Sequence, residues 1–359
     1  MPVSGPVQGR MSYSPSEAPT GPPADPVRWS AAIERALYGP DGFYLAGPGA
    51  AGHFRTSVSA AASLREIFAG AIGGLVERVD LGLGRPDPLD LVDLGAGSAE
   101  LLEAVLGALG SGLRARVRPT VVELRARPAD LSPRVRWREN VPEMSGLLIA
   151  NEWLDNVPLD IVADGRVLLV DHDGAESPGP PPTAVESEWL DRWWPSGPRR
   201  EIGLLRDLAW AQAVSRVRHG LAVAVDYAHT AADRPSLGTL SGFRHGRETQ
   251  PIPDGSCDLT AHVAIDAVLK AGETSVGAAG RSVRALLTVQ RTALRLLGVD
   301  GRRPDYTADP SGYATTLQRA SDAAALIDPA GLGGFSWLMQ GIGLDPAALL
   351  PGLSPPPRP

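Results

Sequence analysis

An α/β protein with a doubly wound sheet is the fold this sequence predicts, and three observations predict it. Residues 89–102 read LDLVDLGAGSAELL, an apolar strand, a glycine turn and then a helical repeat. Leu147–Ala150 and Leu221–Val225 are further short apolar runs, each leading straight into acidic residues. Helical periods separate these runs, which is the alternation expected of a parallel sheet covered by helices.

The first of these stretches organises the rest. Leu89, Leu91, Val92 and Leu94 suit a buried parallel strand, which Asp93 interrupts and Gly95-Ala96-Gly97 ends. From Ser98 onward Leu101, Leu102, Val105 and Leu106 repeat with helical spacing. Glycines at such a turn let the backbone approach a ligand, and the following helix offers free N–H groups. Asp93, Gly95, Gly97 and Ser98 are therefore candidate cofactor contacts. A dinucleotide fingerprint needs a third glycine where this chain has Glu100, whose carboxylate would face a pyrophosphate. Glu100 thus disfavours an NAD-dependent oxidoreductase, but it is compatible with S-adenosylmethionine, which carries no phosphate.

Composition bounds the remaining classes. The 359 residues are 43% hydrophobic and carry a net charge of −7, enough for a sizeable core. That acidic balance argues against a nucleic-acid binder, which needs a basic face. No apolar run is long enough to span a membrane, and prolines occupy the place of a signal peptide's apolar stretch, so a cytoplasmic location is expected. The one cysteine, Cys257, allows no internal disulfide, and no metal centre is expected.

In chain order, residues 1–27 contain seven prolines and are read as a disordered tail. Residues 28–88 are expected to form an N-terminal segment, with a helix through Trp29, Ile33, Ala36 and Leu37, a glycine-rich loop with aromatics, and a helix through Leu64, Phe68, Ile72 and Val76; covering the cofactor site is one role for it and a wandering arm the other. Residues 89–235 are assigned to the core, with strands at Thr120–Leu124, Arg134–Trp137, Leu147–Ala150 and Leu221–Val225. Glu123, near a strand end, suits a ribose. Asn151, Glu152 and Asp155 follow another strand, where open α/β sheets bind their ligands. Leu159–Val162 and Val167–Asp171 flank Asp164-Gly165 as a hairpin inserted into the core. Asp173–Thr183 is expected to be a surface loop, Ile202–Val217 a helix and Thr239–Leu259 an irregular polar loop. Residues 236–340 are expected to hold a helical subdomain with a helix at Thr260–Leu269, a strand and helix within Val283–Leu297, and a last strand from Phe335. Residues 341–359 are a proline-rich tail. Trp189, Trp193 and Trp194 are expected to pack on the core, and they also suit a homodimer contact.

Several blocks resemble, in order, those of the MidA-like (DUF185) S-adenosylmethionine-dependent methyltransferases, a family that includes the mitochondrial complex I assembly arginine methyltransferase. They are YGPDGFY, GHFRTS, DLGAGSAELL, VVEL, ANEWLDNVP, VDYAH, TLSGFRHGRETQPIPDGSCDLTAHV and GGFSWL. The resemblance implies a class I methyltransferase (Rossmann-like) doubly wound sheet with an added, mostly helical subdomain. It also implies S-adenosyl-L-methionine as cofactor, held by Gly95 and Gly97, by Glu123 at the ribose, by Thr56 and Ser57 on the N-terminal wall, and by Asn151 and Glu152. Glu152 and Asp155, three residues apart, would then orient the methyl acceptor from one face of a helical turn. The acceptor implied is a protein arginine or a small molecule. Val58-Ser59 stand where the family has Pro-Glu, and His53 where Asp is common, which keeps a non-catalytic assembly role as the alternative.

Overall fold

The structure, a computed structural model, describes residues 26–45 and 62–352. Thr56 and Ser57, with His53, Val58 and Ser59, lie outside the described residues.

Seven strands build the central sheet: β1 (Leu89–Leu94), β2 (Val117–Val122), β3 (Arg136–Arg138), β4 (Met144–Asn151), β5 (Val217–Asp226), β6 (Val283–Val289) and β7 (Ser336–Ile342). Their spatial order is β3-β2-β1-β4-β5-β7-β6. The first five of that series are mutually parallel, and β7 runs antiparallel to both β5 and β6. This is the class I methyltransferase arrangement, with the chain reversing direction across β1.

The two-residue period of the strands divides the core between the sheet's faces. Leu91, Val121, Leu147, Ile149 and Val223 point to one side, against Phe68, Ile72 and Leu75 of the helix Ala62–Gly82 and Leu102 of the helix Glu100–Ala108. Val92, Leu148, Ala222 and Ala224 point to the other, against Trp210 and Ala213 of the helix Leu204–Ser215 and Val268 of the helix Ile265–Ala278. Trp210 Nε1 donates to Gln340 Oε1 at 2.8 Å, and Gln340 Nε2 donates to the Leu269 carbonyl at 2.9 Å, so one buried amide on β7 ties both helices of that layer together.

A second lobe grows from the carboxyl side of this sheet. The hairpin Asp160–Ala163/Arg166–Val170 forms as expected and joins Val27–Arg28 and Arg199–Ile202 in an antiparallel sheet. Several expectations need correction. Asp173–Thr183 is not all loop, because Glu176–Pro178 pairs with Arg166–Val170. Ile202 closes a strand and Val217 opens β5, so the helix between them is confined to Leu204–Ser215. Thr239–Leu259 is not irregular: Ser241–Arg244 pairs with both Arg247–Thr249 and Asp258–Thr260 in a small sheet. The helix expected at Thr260–Leu269 starts at Ile265, after the bridge Val263–Ala264, and runs to Ala278. Residues 236–340 are therefore not mostly helical, and β7 carries the fold past residue 340 to Ile342. Trp189 and Trp194 pack inside the second lobe with Val162, Val167 and Ile202, as core residues do.

Candidate active site

The carboxyl ends of β1, β2, β4 and β5 converge at one edge of the sheet. Gly95 (φ 72°) and Gly97 (φ 55°) both lie in the left-handed region, where a side chain costs ~1–2 kcal/mol. Gly95 has a second constraint. A Cβ on it would stand 2.9 Å from Cγ of Trp153, so the indole is seated on the turn. Gly97 has the opposite surroundings: a Cβ there would meet none of the described residues within 4 Å.

Glu123 closes this turn. Its Oε2 accepts the Gly97 N–H at 2.8 Å, while Oε1 accepts the N–H groups of Leu124 (2.7 Å) and Arg125 (3.1 Å). The carboxylate is thus fixed at the end of β2 beside the end of β1. Asp93, 2% exposed, is raised to about 7 by burial and by the Glu123 charge. Among the described residues its Oδ2 has no hydrogen-bond partner, and neither does Oδ1 of Asn151. Buried acceptors left open around a glycine loop suit a polar ligand. Ribose hydroxyls and the amino group of S-adenosylmethionine are donors of the kind these open acceptors need, so the residues present fit the cofactor. Ser98 is exposed just beyond the turn, and Glu100 faces away into an ion pair with Arg65 at 3.2 Å.

The other side of the candidate site is built by the segment after β4. The Glu152 N–H continues the ladder to the Val225 carbonyl at 2.8 Å, yet Glu152 itself has φ 51°. Non-glycine residues held in that region cluster at functional sites. The Asn151 amide donates to Glu152 Oε1 at 3.0 Å. Helical geometry begins only at Leu154, in the single 3₁₀ turn Leu154–Asn156, whose first N–H groups are capped by Asp226 Oδ2 (Leu154 at 2.9 Å, Asp155 at 3.2 Å). Glu152 and Asp155 therefore do not share a helical face. Asp155 is 6% exposed, and its Oδ2 accepts the Thr260 hydroxyl at 2.6 Å. Burial raises Asp155, opposed by Thr260 and Arg206, and burial together with Asp155 and Glu152 raises Asp226 well above the carboxylate range.

Arg206 was not apparent from sequence, since it sits among polar positions of an amphipathic helix. It is 3% exposed and spends its guanidinium on main-chain carbonyls: Asp155 (2.6 Å), Val157 (2.9 Å), Ala261 (2.9 Å) and His262 (3.0 Å). It pins the β4 segment to the residues after Asp258–Thr260. Tyr44 strengthens the same junction, donating to Asp258 Oδ2 at 2.9 Å beside Asn156, whose amide donates to Asp258 Oδ1 at 2.9 Å. The blocks YGPDGFY, ANEWLDNVP and GSCDLTAHV, far apart in sequence, meet here. Tyr227, directly after Asp226, stacks on His262 (5.7 Å, 21°) and touches Phe335 (4.1 Å). Trp153, Arg206 and Tyr227 join this candidate site without a local sequence signal that marks them.

A dinucleotide or methyl-donor cleft at the topological switch of an open α/β sheet is what this geometry defines. Comparison with known proteins narrows it. The family model described as "Putative S-adenosyl-L-methionine-dependent methyltransferase" matches residues 74–282, and the chain belongs to that family. No curated protein matches the chain. A crystal structure of a Burkholderia thailandensis protein bound to S-adenosylhomocysteine shares the fold, with TM-score 0.71 and 24% identity over 89% of this chain and 88% of that one. A native structure, also from Burkholderia thailandensis, gives TM-score 0.72 and 23% identity over the same shares, 89% and 88%. The protein is an S-adenosylmethionine-dependent methyltransferase, as its sequence blocks anticipated. Among the described residues no helix is long and apolar enough to cross a membrane, and no cluster of metal-ligating side chains occurs.

Proposed function

We propose that the methyl acceptor is a basic nitrogen, in the first place a protein arginine, and that Glu152 orients it. The observation that carries this reading is the strained placement of Glu152 at the end of β4, next to Trp153, whose indole sits on the glycine turn, and close to Tyr227. Asp155, Asp226 and Asp258 are buried and committed to neighbouring donors, those of Thr260, of the Leu154 and Asp155 N–H groups, and of Tyr44 and Asn156, whereas Glu152 is only half-buried. Glu152 is then the carboxylate that meets a cationic acceptor, and a carboxylate matches a guanidinium through two parallel hydrogen bonds. Asp155, buried against Thr260, acts instead as a positioning residue for the wall.

In this reading Asp93, Gly95, Gly97, Ser98, Glu123 and Asn151 bind the cofactor, with Thr56 and Ser57 contributing from the N-terminal arm. When bound, the sulfonium supplies an electrophilic methyl group. The chain's own task is to hold the acceptor nitrogen in line at ~3–3.5 Å and to exclude water. Tyr227, His262 and Phe335 form an aromatic wall on the acceptor side. A flat small-molecule acceptor is the second reading, and that wall is what favours it.

Incubation with methyl-labelled S-adenosylmethionine and a glycine–arginine repeat peptide tests the proposal. Label on arginine is expected, with turnover falling roughly ten- to a hundredfold in Glu152→Gln and S-adenosylhomocysteine affinity unchanged. Unaltered turnover in Glu152→Gln would remove the role assigned to this carboxylate. Label on small aromatic amines or hydroxyls, and none on the peptide, would favour the second reading.

A further inference from the structure

A cavity of about 330 Å³ opens between the helix Ala62–Gly82, the residues after the helix Gln290–Leu296 and the helix Tyr313–Leu326. None of its lining residues belongs to the glycine turn, the β4 segment or the Tyr227 wall. Its floor is apolar, made by Ile67, Ala71, Val299 and Ala323. Gly70 contributes space in place of a side chain, since a Cβ there would meet none of the described residues within 4 Å. The volume lies at the small end of what ligand sites use.

Two guanidinium groups stand at the mouth. Arg302 is held loosely, 3.5 Å from Asp300 and 86% exposed. Arg319 makes no hydrogen bond or ion pair with the described residues, although acidic side chains elsewhere on this surface are paired, as Asp322 is with Ser63 at 2.5 Å. An apolar floor beneath an uncommitted guanidinium is complementary to a molecule with an apolar body and one anionic head. A short-chain carboxylate has that chemistry.

The position of the cavity gives its occupancy a route to the cofactor. Its floor residues Ile67 and Ala71 lie on the helix that also carries Arg65, and Arg65 pairs at 3.2 Å with Glu100 in the first turn after the glycine loop. The same helix presses Phe68 edge-on against Trp337 of β7, with ring centres 6.3 Å apart. A ligand that draws the helices 62–82 and 313–326 together bears on the Arg65–Glu100 contact and hence on the loop.

We propose that this cavity is an effector site for a small amphipathic carboxylate, with Arg319 binding the carboxylate and the Gly70 gap admitting the chain. Occupancy changes the affinity of the cofactor site. The inference does not depend on which acceptor the enzyme methylates.

Octanoate is the probe, titrated into the full chain by calorimetry with and without saturating S-adenosylhomocysteine. Saturable binding is expected, weakened at least tenfold in Arg319→Gln and in Gly70→Leu. Gly70→Leu fills the gap while favouring the helix, so it keeps the test valid if one variant folds poorly. Octan-1-ol, which lacks the charge, is expected to bind at least tenfold more weakly than octanoate. S-adenosylhomocysteine affinity is expected to shift at least threefold with octanoate present, and octanoate affinity by the same factor with S-adenosylhomocysteine present. Absent or non-saturable octanoate binding, binding indifferent to both substitutions, or equal binding of the alcohol would overturn the site. Identical S-adenosylhomocysteine affinity with and without bound octanoate would overturn the effector role.

Discussion

The Gly97 N–H donates to Glu123 Oε2 at 2.8 Å across 26 residues of sequence, and this bond joins the ends of β1 and β2 into one corner of the candidate cofactor site. Because the other Glu123 oxygen is held by the N–H groups of Leu124 and Arg125, the carboxylate is oriented before any ligand arrives. Preorganisation of that kind lowers the cost of binding. Glu123→Ala is accordingly expected to weaken S-adenosylhomocysteine binding by roughly ten- to a hundredfold, the value of a hydrogen bond to a charged group. Isothermal titration with the folded variant measures it; an affinity within twofold of wild type would show that Glu123 serves the loop alone.

Arg206 offers a test of how the acceptor wall is held. Its guanidinium serves carbonyls on both sides of the junction, those of Asp155 and Val157 and those of Ala261 and His262. Arg206→Met fills similar space and leaves these buried acceptors without a donor. Unfolding by urea is expected to show a loss of roughly 3 kcal/mol or more, since each unmet buried group costs ~1–3 kcal/mol. Arg206→Lys is expected to recover little, because one ammonium cannot span the positions that a planar fork reaches. Full recovery by lysine would mean that charge, not the fork, is what the site requires.

Asp258 gives the protein a defined pH response. It is pushed up to about 8 by burial and by the neighbouring Asp155, whereas an unfolded aspartate titrates at ~3.9. The folded chain thus keeps a proton that the unfolded chain has released, and stability declines as pH rises from ~4 through the folded value. Asp93 and Asp207, each raised to about 7 chiefly by burial, act with the same sign. Asp258→Asn is expected to flatten part of this decline. Unfolding free energies at pH 5, 7 and 9 provide the comparison, and parallel curves for variant and wild type would contradict it.

The fold was legible in sequence wherever one pattern dominated. Leu89–Leu94 and Leu221–Val225 are apolar runs with sharp ends, and Gly95 and Gly97 mark the only backbone such a turn allows. The sheet of Ser241–Arg244, Arg247–Thr249 and Asp258–Thr260 looks like loop in sequence because its strands are short and its outer strand is exposed throughout. Its order comes from tertiary contacts such as Tyr44 to Asp258 and Thr260 to Asp155, which no local period encodes. The relation of Glu152 to Asp155 failed for a similar reason. Three-residue spacing implies a shared face only if the backbone is helical, and Glu152 is left-handed. Arg206 had no signal at all, since a buried arginine satisfied by carbonyls looks like any polar position on a helix.

Calorimetric titration of S-adenosylmethionine into the wild type and into Gly95→Val tests the central claim most directly. Valine at a position with φ 72°, under the Trp153 ring, displaces the turn while leaving the strand that precedes it intact. Saturable one-to-one binding by the wild type, reduced at least a hundredfold in a folded Gly95→Val, is the result expected if the carboxyl ends of β1 and β2 hold the cofactor. Equal binding by the two proteins would place the cofactor somewhere other than this turn.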